Sequence, residues 1–288
     1  MRDISGKGAE ASYFRKRAVR LYTLCATVAF AVVTSLALAI DFDPKKQLFD
    51  NGSVLGAIAF YSSLGLTAVS LILPFILIPR QKPEESMLPD GDRYAFYYTL
   101  DNSFIKILRL CVFSVIILQG VVRAVSVLLN VEKVYLPTPV TYVMLLLVIP
   151  LAMYFVPEVT ERIKAANGRA HMIFGSVGLI WFILNVLEAY FDKSVSLASE
   201  YITLTQLTCI VTMLALVYEM RYHLDGTKLR VRLATSCAAC VLGIGFGFAQ
   251  LVMLVSVGQV SFEATSVGVT LLSLGVYFGA RIFFYEED

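Results

Sequence analysis

Apolar residues in this chain come in long unbroken runs rather than in short alternating ones. Eight runs, at about 18–40, 53–78, 104–130, 137–156, 170–191, 200–220, 231–257 and 263–284, are separated by short polar connections. A bilayer core roughly 30 Å thick needs about 20 largely apolar residues per spanning helix, and each run meets or approaches that length. The pattern predicts an all-α fold, a polytopic integral membrane bundle of about 8 transmembrane helices. The runs are continuous, which excludes the short alternating strands of a membrane β-barrel. A polar basic segment at 1–17 precedes a single transmembrane domain at 18–285, whose longest connection is 79–103. A short acidic tail at 286–288 follows.

Inside the runs, polar positions recur at helical spacing. Gln119, Arg123, Ser126 and Asn130 step by four, three and four in the third run. Gly178, Trp181, Asn185, Glu188 and Asp192 step by three, four, three and four in the fifth. Tyr201, Thr205, Thr208 and Thr212 line one face of the sixth, and Ser266, Thr270, Ser273, Tyr277 and Arg281 one face of the eighth. Such spacing puts each set on one side of its helix, and a polar side belongs in the bundle or a wet cavity rather than against lipid tails.

Arg123 stands out among these positions. It precedes Asn130 by seven residues, so roughly 10 Å of helix separates it from the outer boundary. A guanidinium at mid-bilayer costs about 2.5–3.5 kcal/mol on the insertion scale, less when it snorkels. It needs water, a headgroup or a carboxylate. Glu188 lies at comparable depth on the fifth stripe. The expectation is that Arg123 and Glu188 meet, that Gln119 and Asn185 complete the hydrogen bonds, and that the four make a ligand-binding pocket in the outer half. Two competing readings are separate snorkelling of each charge to the outer surface and a purely structural ion pair.

Small residues carry a different message. Gly243 and Gly247, and again Gly275 and Gly279, have the four-residue spacing that lets two helices approach closely. An unwound, substrate-contacting stretch at 243–247 is the alternative. A nucleotide loop is excluded there, because no strand precedes it. The first run ends in Ala37-Leu38-Ala39, similar to a signal-peptidase site. Its apolar core exceeds the roughly 7–15 residues of a signal peptide, so the first span is expected to be retained. Past Pro157, Glu158 and Arg162 stand four apart, which predicts that the fourth helix runs on beyond the membrane. The aromatic cluster Tyr94-Ala95-Phe96-Tyr97-Tyr98 reads as an interfacial segment or as a docking patch for a membrane or cytoplasmic protein partner.

Composition agrees with the pattern. The chain is 58% apolar and 16% charged, against about 25% charged in soluble domains. With the N terminus inside, every Lys and Arg but Arg123 falls on the cytoplasmic side, the end charges Lys106 and Arg109 of the third run among them, except Lys45, Lys46, Lys133 and Lys193. That asymmetry puts both termini in the cytoplasm. With short external loops, it suits a plasma membrane, in particular a bacterial cytoplasmic membrane. The formal net charge of +2 reflects the same asymmetry and points to the lipid bilayer as partner, with no nucleic acid.

Candidate chemistry is sparse. Cys25, Cys111, Cys209, Cys237 and Cys240 all fall within apolar runs, and the Cys237–Cys240 spacing has no second pair, so they read as small packing residues. His171 and His223 lie at cytoplasmic helix ends and are expected to be solvated. No metal site, cofactor or catalytic residue is expected, since no hydrolase, metalloprotease or P-loop signature occurs. The leading functional expectation is a permease-like or accessory membrane subunit. The alternatives are a sensor docking partners through 79–103 and, least supported, an intramembrane lipid-modifying enzyme.

Overall fold

A computed structural model of the chain describes residues 3–43, 48–49, 53–78, 103–129, 138–156, 168–191, 199–225, 229–257 and 262–284. Eight helices occupy them: α1 (Asp3–Ile40), α2 (Val54–Leu77), α3 (Ser103–Leu128), α4 (Thr138–Tyr154), α5 (Gly168–Phe191), α6 (Glu200–Asp225), α7 (Leu229–Val257) and α8 (Phe262–Phe283). Two-residue strands, β1 (Phe42–Asp43) and β2 (Leu48–Phe49), pair antiparallel between α1 and α2. Five helices contain stretches long and apolar enough to cross a membrane: Arg15–Ile40, Val54–Leu77, Ser103–Leu128, Glu200–His223 and Leu229–Val255. The apolar stretches of α4, α5 and α8 are shorter, at Pro139–Tyr154, Met172–Glu188 and Val267–Phe283.

Local sequence explains where several elements begin and end. Ser53 caps α2: its Oγ accepts from Gly56 N–H at 2.8 Å and donates to Asp41 Oδ2 at 2.6 Å, which ties the start of α2 to the end of α1. Helix α1 begins well before the apolar run, because Lys7, Ala9, Glu10 and Ala11 are good helix formers. Helix α4 continues through Pro150 and ends at Tyr154. Its expected extension past Pro157, residues 79–102 of the long connection with Tyr94–Tyr98, and the side chains of Asn130, His171, Asp192 and Ser266 lie outside the described residues.

Helix α7 is the hub. It packs against α1, α2, α6 and α8, and nearly every residue from Arg232 to Gln250 is buried. Its close neighbours meet it through small side chains. A Cβ on Gly243 would stand 2.7 Å from the Leu271 carbonyl and 3.0 Å from Gly275 Cα, and one on Gly275 would stand 2.7 Å from Ile244 N. The backbones of α7 and α8 therefore touch, and α7 is an unbroken helix through 243–247, which rules out the unwound alternative. Cys237 and Cys240 pack toward α1, where Thr23 donates to Cys237 Sγ at 3.4 Å and Thr27 lies 3.8 Å from Cys240 Sγ. The buried face of α2, Gly56, Ala59, Ser63, Thr67, Ser70 and Pro74, is equally small.

The remaining helices close a circuit: α3 packs on α4, α4 on α5, α5 on α6, α6 on α7, α7 on α8, and α8 back on α3. Contacts define its two ends. At the hairpin end, Phe42 of β1 stacks on Tyr201 at the start of α6, and Tyr201 on Phe246 of α7. At the other, basic end, Arg20 of α1 donates to the Ile282 carbonyl of α8 at 3.3 Å, and Phe104 of α3 stacks on Phe284. Successive helices thus run alternately between the ends, and outward faces such as Leu21, Leu24, Val28, Val32 and Leu36 of α1 stay apolar and exposed.

Candidate functional site

Helix α3 buries one face only: Ile105, Arg109, Val112, Ile116, Gln119 and Arg123. The steps of four and three along it follow the helical repeat, so an arginine stands near each end of a single buried stripe. Fourteen residues separate the two, about 21 Å along the axis. Each arginine organises a polar layer.

At the hairpin end, Arg123 Nη2 donates to Glu188 Oε2 across the gap from α3 to α5, with 3% and 9% of the two side chains exposed. Separate snorkelling is thereby excluded, since both charges sit inside the bundle. Asn185, one turn before Glu188, is buried as well, but its Nδ2 donates to the Trp181 carbonyl at 2.8 Å. Gln119 is buried at 3% exposure. Neither Asn185 nor Gln119 makes a hydrogen bond to the ion pair among those the structure records, so the fully connected quartet is not formed. Instead the layer keeps open valences among the described residues: Gln119 Nε2 and Oε1, Trp181 Nε1, Glu188 Oε1 and Thr141 Oγ1 are buried without a hydrogen-bond partner. An unpaired buried donor or acceptor costs about 1–3 kcal/mol, and these lie in the half of α3, α4 and α5 nearest the hairpin end.

At the basic end a second layer forms that was not anticipated. Tyr277 Oη of α8 donates to Glu219 Oε1 of α6 at 2.6 Å, and accepts from Arg109 Nη2 at 3.3 Å and Arg281 Nε at 3.1 Å. Arg281 Nε also donates to Glu219 Oε1 at 2.8 Å, and its Nη2 lies 3.1 Å from His223 Nε2. Phe155, just past the end of α4, stands edge-on to the Tyr277 ring. The expectation of a solvated His223 is wrong: only 1% of it is exposed, because α6 continues past the apolar run to Asp225 and holds it under Arg281. Arg109, read as an end charge that orients the chain, is 2% exposed. The signal was in the spacing. Continuing the stripe Tyr201, Thr205, Thr208, Thr212 through Leu216 reaches Glu219 and His223 in the same steps.

Among the described residues, no group of His, Cys, Asp and Glu is placed to hold a metal ion. Cys209, Cys237 and Cys240 are buried free thiols, while Cys25 and Cys111 are exposed. No known protein family matches the chain, and no curated protein or solved structure is detectably similar to it. Function therefore has to be argued from the two polar layers themselves.

Proposed function

We propose that the chain is a multi-pass plasma-membrane protein of eight spans, with both termini cytoplasmic, acting as a permease-like or accessory membrane subunit. Its ligand site in this reading is the Arg123 layer in the outer half, lined by Gln119, Asn185 and Glu188. Support for the eight spans comes from the alternation of the helices between two ends, which leaves α4, α5 and α8 in the same layer as the five longer ones. Support for the orientation comes from Lys and Arg gathered at the end where α1 starts and α8 finishes.

The observation that carries the ligand reading is the set of buried, unpartnered polar atoms in the half of the bundle that holds the charge pair. A buried ion pair needed only for folding is best with its remaining lone pairs and protons satisfied. Here Gln119, Trp181 and Glu188 keep buried atoms with no hydrogen-bond partner among the described residues, in the same half of α3 and α5 as Arg123. A small anionic ligand, such as a carboxylate, matches that set: it takes Arg123 in place of Glu188 and accepts from Gln119 Nε2 and Trp181 Nε1.

The test is binding of a series of small carboxylates and inorganic phosphate to the protein in lipid nanodiscs, read by calorimetry. The reading expects at least one to bind to wild type, with binding at least tenfold weaker in Arg123→Ala and weakened in Gln119→Leu. Binding of every such ligand that is unchanged by Arg123→Ala contradicts it.

A further inference from the structure

Glu219 and His223 stand four residues apart on one face of α6, and the Arg123 site uses neither. Arg281 of α8 joins them, through Nε to Glu219 Oε1 at 2.8 Å and through Nη2 to His223 Nε2 at 3.1 Å. Arginine offers donors only. Nε2 is therefore the acceptor, and His223 is neutral with its proton on Nδ1. Glu219 Oε2, on a residue 1% exposed, has no hydrogen-bond partner among the described residues.

The groups around His223 come from every packed element. Glu219 and Tyr222 share its helix; Tyr277 and Arg281 face it from α8; Arg109 of α3 reaches the cluster through Tyr277. On α7, Arg232 lies over the Tyr222 ring at 4.2 Å. Helix α5 approaches α6 here through Gly175 against Met220, and just past the end of α4 Phe155 stands edge-on to Tyr277, with no charged side chain from either among the described residues.

We propose that His223 is a proton-binding site that latches the basic end of the helix circuit, and that the proton is the coupling ion of the permease-like protein. The second half rests on the reading given under Proposed function; the first half does not. A proton from water adds to the Nε2 lone pair. The Nη2–H···Nε2 hydrogen bond then breaks, because two donors and two positive charges now face each other. The new Nε2–H has an acceptor on its own helix in Glu219 Oε2, since residues at i and i+4 are neighbours. Glu219 and His223 become a pair on α6, and Arg281 loses its hydrogen bond to His223. Helices α6 and α8 each pack chiefly on α7 rather than on one another, so they part at the basic end without opening the core. The same residues thus have two arrangements that differ by one proton, which is what a switch requires.

The chain has two histidines, so His171→Gln leaves His223 as the sole imidazole. In that variant, in nanodiscs, nitrogen NMR of labelled histidine near neutral pH is expected to show the neutral tautomer with the proton on Nδ1, and imidazolium on acidification. Hydrogen exchange, corrected for intrinsic rates, is expected to speed several-fold in 219–225 and 277–284 between about pH 7 and about pH 5, the range where histidine switches. His223→Gln keeps an acceptor for Arg281 and cannot take the proton, so the acceleration disappears. A proton on Nε2 near neutral pH, or an equal acceleration in His223→Gln, overturns the latch. A working latch beside Arg123-dependent ligand binding that ignores His223→Gln overturns the coupling alone.

Discussion

Arg123 and Glu188 each neutralise a charge that neither could carry alone in the bundle. Removing one leaves the other buried and uncompensated, so Arg123→Ala is expected to lower unfolding stability in detergent by about 3–5 kcal/mol. Replacing both with apolar residues of similar size, Arg123→Met with Glu188→Leu, removes the desolvation cost together with the attraction and is expected to regain most of that loss. Thermal unfolding of the three proteins checks this. A double variant as unstable as the single one contradicts it. Stability regained while ligand binding stays lost separates a ligand site from a structural pair. The stripes with Arg123, Asn185 and Glu188 were legible because a charge in an apolar run has few reasons to be there. Arg109, Glu219 and His223 were not, because charges at the ends of spans are expected whether or not they are buried. For Glu219 and His223 the continued spacing of the α6 stripe was the one hint, and it is the tertiary contact with Tyr277 and Arg281 that distinguishes all three from solvated ends.

At the scale of elements, the sequence pattern located all eight helices but not their ranks. The third run, with its internal arginine, stands out in the sequence, yet it is α7 that packs on α1, α2, α6 and α8 together. Hydropathy cannot tell the two situations apart, since lipid tails and a bundle interior are equally apolar; small residues can, because they let backbones approach. Gly243→Leu is accordingly expected to destabilise the protein by at least about 1–3 kcal/mol, the usual cost of overpacking, because the added side chain meets the backbone of α8. Gly65 of α2 is the control. A Cβ there meets nothing within 4 Å, and Gly65→Ala is expected to be neutral or to stabilise by up to about 1 kcal/mol, since alanine is the better helix former. Unfolding measurements that ranked the two alike would contradict the packing of α7 on α8.

For the molecule as a whole, the circuit α3 to α8 puts a polar layer at each end of its interior, about 21 Å apart by the rise of α3, with apolar packing such as Ile116, Trp181 and Phe182 contributing to the core. In the proposed orientation one layer faces the outside and the other the cytoplasm, the arrangement expected of a protein that opens from one side at a time. All of this depends on the helices crossing a bilayer in alternating directions. The most direct test is labelling of intact cells with a membrane-impermeant maleimide, using single cysteines at Lys193 and Lys228 in a chain whose five native cysteines are replaced by serine or alanine. The account predicts that the cysteine at 193 reacts in intact cells and the one at 228 only after permeabilisation. Equal labelling of both positions in intact cells, or recovery of the folded chain in the soluble fraction, would contradict it.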